Sequence, residues 1–168
     1  TLAGKDLYRM KEDALAFKNR FERITFGDPL LTTQQDHVEI VNAICQEFSN
    51  LPADCALILM GHGTSHYAND VYAALDYRFK DLGFSNIHLA TVEGYPTLEN
   101  VTRMVKEQEA KKVILAPFMI VAGDHARNDM SGDDEDSWKN QFRAAGYDVE
   151  CRMKGLGEYP AIQDMLIR

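Results

Sequence analysis

The sequence predicts an α/β protein with three layers, in which helices cover both faces of a four-stranded parallel sheet. Short apolar runs alternate along the chain with segments whose apolar residues recur every three or four positions, as strands alternating with helices do. The runs are apolar throughout, which is typical of strands that are covered on both faces. Strand–helix–strand connections of this length favour parallel pairing.

The first fifty residues contain only two predicted helices and one short strand. Apolar residues at steps of three and four from Leu7 to Phe21 predict the first helix. A strand is predicted at Arg23–Gly27, and Thr32 with Gln35 forms a candidate capping box that opens the second helix. This is too little for a separate domain. We therefore interpret residues 1–50 as the C-terminal remnant of an N-terminal domain.

Residues 51–168 are predicted to form one complete domain, in which each of four strands is followed by a helix. The predicted strands are Cys55–Met60, Ile87–Val92, Val113–Val121 and Tyr147–Met153. Apolar residues at helical spacing follow each strand, and the helix around Trp138 and Phe142 ends near Gly146. Crossovers of this kind place all four strands in one sheet.

Composition and charge exclude several classes of partner. The 168 residues carry a formal net charge of -8, which argues against nucleic acid because phosphate binding needs clustered Lys and Arg. The sequence contains no apolar run of the ~20 residues that a membrane span requires. The three cysteines lack CxxC spacing, so we expect buried, unpaired thiols in a reducing compartment, the cytoplasm.

Three polar side chains follow three consecutive predicted strands. His62 comes after the first strand, Glu93 after the second and His125 after the third. Ligands of open parallel sheets bind beyond the carboxyl ends of the strands, so these side chains should meet at one edge. Two imidazoles and a carboxylate can bind a first-row divalent metal and leave coordination positions open.

Plainer interpretations exist for each of these residues. A histidine after a strand is often a helix cap, and a loop glutamate is often only solvated. The glycine-rich stretch Gly61–Gly63 lacks the spacing of a phosphate-binding loop, so we interpret its glycines as allowing close approach of the backbone to a flat ligand.

The acidic run Asp133–Asp136 and the nearby Arg127 each have two interpretations. The acids either complement the dipole in the first turn of a helix or gather metal ions near the site. Arg127 either binds a substrate carboxylate or pairs with Asp124 or Asp129.

Three segments carry a resemblance to a known family. Met60-Gly-His-Gly-Thr-Ser-His-Tyr-Ala-Asn69, Val92-Glu-Gly-Tyr-Pro96 and Ala122-Gly-Asp-His-Ala-Arg-Asn-Asp-Met130 resemble the anaerobic cobalt chelatases of cobalamin biosynthesis. The resemblance implies two α/β domains with sirohydrochlorin in the cleft between them. It also implies that His62, Glu93 and His125 are the metal ligands, and that His62 takes protons from the macrocycle.

The expected activity is ATP-independent insertion of Co²⁺ into sirohydrochlorin, with His62 and His125 as the catalytic residues. Fe²⁺ and Ni²⁺ suit the same ligands. The alternatives are insertion of iron for sirohaem, and a protein that binds haem or metal without catalysis. His66, Tyr95 and Arg127 are candidate tetrapyrrole contacts, although His66 is also a candidate helix cap and a tyrosine such as Tyr95 is most often a core residue. The exposed apolar faces predicted in residues 1–50 suggest a homo-oligomer, or association with a missing N-terminal part.

Overall fold

Four apolar runs form a parallel sheet in the computed structural model, which describes residues 4–167. The strands are β1 (Cys55–Gly61), β2 (Ile87–Thr91), β3 (Lys112–Pro117) and β4 (Asp148–Cys151), in the order β2-β1-β3-β4. The α-helices are α1 (Lys5–Ala16), α2 (Gln34–Glu47), α3 (Asp70–Asp81), α4 (Leu98–Glu107), α5 (Trp138–Ala144) and α6 (Pro160–Leu166). Short 3₁₀ turns lie at Lys18–Arg20, Tyr67–Asn69 and Leu156–Glu158, and a π turn lies at Ala126–Met130.

The two faces of the sheet pack against different helices. Successive side chains of a strand point to opposite faces. Leu57 and Leu59 of β1 therefore join a core cluster with α2, α3 and α6, whereas Ile58 and Met60 join a second cluster with α4 and α5. The predicted three-layer α/β architecture is confirmed.

Helix α2 packs with the sheet, whereas α1 does not. The buried face of α2, which includes Ile40 and Ile44, belongs to the same core cluster as Leu57. Helix α1 and the turn at Lys18–Arg20 contain no buried residue. The packed unit of the described chain therefore starts near Leu30, which is 7% exposed, and α1 lies outside its core.

Two predictions for the N-terminal fifty residues were wrong in detail. Arg23–Gly27 forms no strand, because a strand needs a partner for its backbone hydrogen bonds and no strand of residues 4–167 pairs with this segment. The capping box of α2 lies one residue later than predicted. The Thr33 side chain accepts a hydrogen bond from the Asp36 backbone, and the Asp36 carboxylate accepts one from the Thr33 backbone at 2.7 Å.

The third strand is shorter than the predicted Val113–Val121, because it ends at Pro117. The Phe118 amide still donates to the Met60 carbonyl at 2.6 Å, and beyond Phe118 the backbone no longer pairs with β1. The carbonyls of Met119 and Ile120 instead accept hydrogen bonds from Leu156 and Gly157 at 2.8 and 2.9 Å. The apolar run thus continues past the sheet and packs on the turn before α6.

The three cysteines are free thiols, as predicted. Burial raises the pKa of Cys45 to about 11 and also raises the pKa values of Cys55 and Cys151, so these thiols stay protonated and unreactive at neutral pH. Within residues 4–167, no helix has the length and apolar character that a membrane span requires.

Candidate metal centre

The strand order brings three loops together at one edge of the sheet. Strand β1 lies between β2 and β3, so the loop carrying His62 is flanked by the loops that carry Glu93 and His125. The parallel hydrogen bonding continues past the strand ends, because the Val92 amide donates to the Gly61 carbonyl at 3.1 Å and the Glu93 amide donates to the His62 carbonyl at 2.8 Å. The sheet itself therefore fixes Glu93 beside His62.

The three predicted ligands converge. One ligand atom from each of His62, Glu93 and His125 lies within 4.8 Å of the others. The His62 Nδ1 atom is 3.9 Å from Glu93 Oε2, and the two imidazole rings meet edge to face with centroids 4.6 Å apart. Two donors that each lie 2.0–2.2 Å from one ion are at most about 4.4 Å apart. Side-chain movements of less than about 1 Å would close the group onto one ion.

Hydrogen bonds orient both imidazoles in the same way. The Nδ1 atom of His62 is 2.8 Å from the Gly63 carbonyl oxygen, and the Nδ1 atom of His125 is 2.5 Å from Asp129 Oδ2. A carbonyl and an ionised carboxylate only accept hydrogen bonds, so each Nδ1 carries the proton. The lone pair of each ring is then on Nε2, which is the form that binds a metal.

Asp129 is a site residue that the sequence analysis did not identify in this role. One of the two interpretations of Arg127 offered it as a partner of that residue, whereas it contacts the ring of His125. The spacing His125-Ala-Arg-Asn-Asp129 carried the signal, because residues four apart on a helical turn face each other. These residues begin and line the π turn Ala126–Met130, a form that is frequent at functional sites.

The glycines near His62 serve the packing of the loops on each other. Gly63 has φ +83, and a Cβ atom there would lie 2.6 Å from the Gly94 backbone nitrogen. At Gly61 a Cβ atom would overlap the ring of Tyr72. Gly63 therefore lets the loops that carry His62 and Glu93 touch, and Gly61 makes room for the Tyr72 ring. Close approach of this backbone to a flat ligand stays a prediction.

We call His62, Glu93 and His125 the metal group. The three candidate tetrapyrrole contacts lie outside it. The Nδ1 atom of His66 accepts a hydrogen bond from the Ala68 amide at 3.2 Å and caps the turn Tyr67–Asn69. Tyr95 is 59% exposed. Arg127 is exposed and makes no ion pair within the described residues, so of its two interpretations the pairing with Asp124 or Asp129 was wrong.

The acidic run Asp133–Asp136 precedes α5 and does not form its first turn, because the helix starts at Trp138 after the N-cap Ser137. The proposed dipole role in that turn was wrong. Side chains of α5 bind the backbone of the run instead: the Asn140 amide donates to the carbonyls of Asp133 and Asp134, each at 2.9 Å.

A cleft of about 460 Å³ lies beside His62 and Glu93. Residues Gly4–Leu7, Arg9 and Met10 line one side, and His62–Ser65, Tyr72 and Glu93 line the other. The Lys5 ammonium donates a hydrogen bond to the Ser65 hydroxyl at 3.1 Å, and the ring of Tyr8 lies 6.1 Å from that of His66. We call this space the α1 cleft.

Comparison with known proteins relates the whole chain to one family. The family model described as "Cobalt chelatase (CbiK)" matches residues 1–168. A sirohydrochlorin cobaltochelatase of Salmonella typhimurium is 37% identical over 164 residues, which cover 98% of this chain and 62% of that protein. A sirohydrochlorin cobaltochelatase, CbiKC, of Nitratidesulfovibrio vulgaris is 32% identical over 157 residues, covering 91% of this chain and 54% of that protein.

A solved structure supports the fold alone. A multi-domain protein of Deinococcus radiodurans, which has structural similarity to chelatases and two additional novel domains, superposes with a TM-score of 0.52 at 18% identity. The superposition covers 77% of this chain and 28% of that one. Relative to the two cobaltochelatases, the present chain spans a little over half of their length.

Proposed function

Because the chain belongs to the cobalt chelatase (CbiK) family, we propose that it inserts Co²⁺ into sirohydrochlorin without ATP. The observation that supports the proposal most is the convergence of His62, Glu93 and His125 within 4.8 Å at the carboxyl edge of the sheet. Two neutral imidazoles and one carboxylate suit Co²⁺, and also Fe²⁺ and Ni²⁺. The two relatives, named cobaltochelatases, favour Co²⁺ as the substrate metal.

Insertion replaces two pyrrole N–H protons by one divalent ion, so the protein must supply both a metal donor and a proton acceptor. The Nε2 atom of His62 serves both steps in turn. It first holds the ion with Glu93 and His125. As the ion moves to the pyrrole nitrogens, the freed Nε2 lone pair accepts the two pyrrole protons one after the other and passes each to solvent. The Gly63 carbonyl keeps the ring in the required tautomer throughout.

Acidic conditions should oppose the reaction. Imidazoles bind metal only when Nε2 is unprotonated, so binding of Co²⁺ releases protons and weakens as the pH falls. The same protonation removes the acceptor for the pyrrole protons. Both effects lower the rate of metal insertion as the pH falls.

We also propose how the chain relates to its longer relatives. Residues 1–50 correspond to the end of an N-terminal chelatase domain and residues 51–168 to the metal-binding C-terminal domain, with α2 packed on the C-terminal sheet. His66, Tyr95 and Arg127 remain proposed contacts of the tetrapyrrole. Three free cysteines, of which Cys45 and Cys55 are buried, fit a reducing compartment such as the cytoplasm.

The test follows the absorption bands of sirohydrochlorin mixed with Co²⁺ and catalytic amounts of the chain. The expected result is many turnovers for the unmodified chain and loss of most activity in His62→Ala, His125→Ala and Glu93→Gln. Glu107→Gln is the matched control, because Glu107 is an exposed glutamate at the far end of α4. The three site residues lie at strand ends rather than in the core, so the fold should persist.

Two results would oppose the proposal. Saturation of the spectral change at one equivalent of protein would favour a metal- or haem-binding protein without catalysis. Full turnover in both histidine variants would remove the metal group from the mechanism. Substituting Fe²⁺ or Ni²⁺ for Co²⁺ in the same assay measures metal preference.

A further inference from the structure

The α1 cleft places basic side chains of α1 opposite the metal group. Lys5 and Arg9 line one side of the cleft, and His62 and Glu93 line the other. We propose that Arg9, assisted by Lys5, binds a peripheral carboxylate of the tetrapyrrole and so holds the macrocycle next to the metal ligands. This inference rests on the proposed function and deepens it.

Helical spacing puts the two cations on one face of α1. Lys5 and Arg9 are four residues apart, and residues at this spacing are neighbours on the helix surface. The Lys5 ammonium is already hydrogen-bonded to Ser65 at 3.1 Å. The Arg9 side chain has no hydrogen bond or ion pair with any residue between 4 and 167, so its guanidinium is free to receive an anion.

The charges that line the cleft favour an anionic group at Arg9. Two carboxylates also line it, Asp6 on α1 and Glu93 on the opposite loop. Glu93 belongs to the metal group and would face a cation there. The region around Lys5 and Arg9 therefore keeps positive charge in excess of Asp6, in a chain whose formal net charge is -8.

The shape and polarity of the cleft fit a flat ring with acidic substituents. Leu7 and Met10 line the same side as Arg9, and Met10 is 52% exposed although it is apolar. An apolar surface beside a guanidinium matches a macrocycle that is apolar on its faces and carries carboxylates at its rim. A guanidinium binds a carboxylate through two parallel hydrogen bonds, which also fixes its orientation.

The proposed role of Arg9 gives a reason for the position of α1 that core packing does not give. The helix buries no residue, yet it contacts the loop after β1 through Lys5 and Tyr8. Its position next to His62 is what creates the cleft. In this arrangement the sheet supplies the metal ligands, and α1 supplies the opposite wall for the organic substrate.

The test measures binding of sirohydrochlorin and of Co²⁺ separately, on the 168-residue chain. Fluorescence titration without metal gives the Kd for sirohydrochlorin, and calorimetry gives the affinity for Co²⁺. We expect Arg9→Ala to raise the Kd for sirohydrochlorin about tenfold and to leave the Co²⁺ affinity unchanged, as loss of one charge-assisted contact predicts. Arg9→Lys should be intermediate, because it keeps the charge but not the paired hydrogen bonds.

Controls separate a carboxylate contact from a general effect of charge. Arg103→Ala removes an exposed arginine of α4 that does not line the cleft, and it should bind like the unmodified chain. Two porphyrin probes test the chemistry: the Arg9→Ala defect should be large for uroporphyrin III, which is rich in carboxylates, and smaller for mesoporphyrin. Raising the salt concentration should narrow the difference between the unmodified chain and the variant.

The possible outcomes distinguish this inference from the proposed function. If the unmodified chain binds sirohydrochlorin and Arg9→Ala binds it equally well, the inference fails while the chelatase proposal stands. If Arg9→Ala and Arg103→Ala weaken binding equally, only net charge is involved and the inference also fails. If the unmodified chain does not bind sirohydrochlorin at all, the proposed function fails and this inference fails with it.

Discussion

Helices α1 and α2 have similar sequence patterns but opposite environments. Both carry apolar residues at helical spacing. The face of α2 is buried against the sheet, and Ile40 and Val41 are 0% and 1% exposed, whereas Met10 and Leu15 of α1 are 52% and 48% exposed. The pattern therefore predicts that a helix forms but does not identify the surface that covers it. Within residues 4–167, the core of the sheet covers α2 and nothing comparable covers α1.

Phenylalanine truncation should show the largest difference between the two regions. Phe142 of α5 is 1% exposed in the core, and Phe17 after α1 is 50% exposed. Phe142→Ala should lower the free energy of unfolding by about 3–5 kcal/mol, and Phe17→Ala by less than about 0.5 kcal/mol. Urea unfolding followed by circular dichroism measures both. A loss of more than about 2 kcal/mol in Phe17→Ala would show that α1 packs on the sheet in solution.

The Co²⁺ affinity of the metal group should depend on the loops at the sheet edge and not on α1. Asp129→Ala removes the acceptor for the His125 Nδ1 proton, and we expect Co²⁺ affinity to fall about 10- to 100-fold, as loss of such partners usually does. Asp129→Asn should restore part of the affinity, because its amide oxygen still accepts a hydrogen bond. Calorimetry with Co²⁺ measures the affinities, and ¹⁵N resonances of the imidazole report the tautomer. An unchanged tautomer and affinity in Asp129→Ala would contradict the role of Asp129.

The sheet region also carries a buried imidazole that should make its stability sensitive to acid. His88 of β2 is 1% exposed, and burial lowers its pKa, as does Lys80, while Gln108 and Asp76 act in the opposite direction. The unfolded chain therefore takes up a proton before the folded chain does. The free energy of unfolding therefore keeps its full value above about pH 6.5. Below that pH, protonation of His88 in the unfolded chain lowers it by about 1 kcal/mol for each pH unit.

Unfolding in urea between pH 7.5 and pH 5 tests this dependence. His88→Gln keeps a polar side chain that can contact Gln108 and cannot be protonated, so its stability should vary less over the same range. An equal slope in both proteins would assign the acid sensitivity to other groups.

Removal of residues 1–26 should have the smallest effect on the unfolding of the sheet unit. The deleted segment contains no buried residue among those described, so the thermal midpoint should change by only a few degrees and Co²⁺ affinity should stay the same. Affinity for sirohydrochlorin should fall, because Arg9 and Lys5 are removed. A large drop in the midpoint would contradict the separation of the two regions.

The same deletion tests self-association. An apolar groove of about 590 Å³ runs past Ala14, Phe17, Phe21 and Ile24. Exposed apolar surface of this kind usually meets a partner, so we expect the full chain to associate at micromolar concentration and the shortened chain to be monomeric. Sedimentation velocity distinguishes the two. A full chain that remains monomeric would contradict the expectation.

The sequence predicted the parts of the fold that local chemistry determines. The apolar runs at β1 and β2 and the positions of His62, Glu93 and His125 after their strands were enough to predict a metal group at one sheet edge, because parallel strands end at the same edge. The predicted strand at Arg23–Gly27 failed for a non-local reason, since strand formation depends on a partner that the pattern of five residues does not contain.

The sequence could not predict details that depend on exact contacts. The role of Asp129 depends on the 2.5 Å contact with His125, and helical spacing made this pairing possible without distinguishing it from a pairing with Arg127. The position of Arg9 opposite His62 depends on where α1 lies, and α1 is placed by a few surface contacts rather than by a buried face.

The continuation of the β1–β2 hydrogen bonds past the strand ends has a consequence for how the metal is held. Neighbouring strands lie about 4.7–4.9 Å apart, and this spacing separates the backbones of the loops that carry the three ligands. The ligand atoms lie within 4.8 Å of one another, which is slightly more than the roughly 4.4 Å that two donors on one ion can span, so binding must draw the side chains slightly inward. Release lets them return to their wider separation. The backbone thus opposes very tight binding of the ion, which agrees with the proposed transfer of the ion to the pyrrole nitrogens.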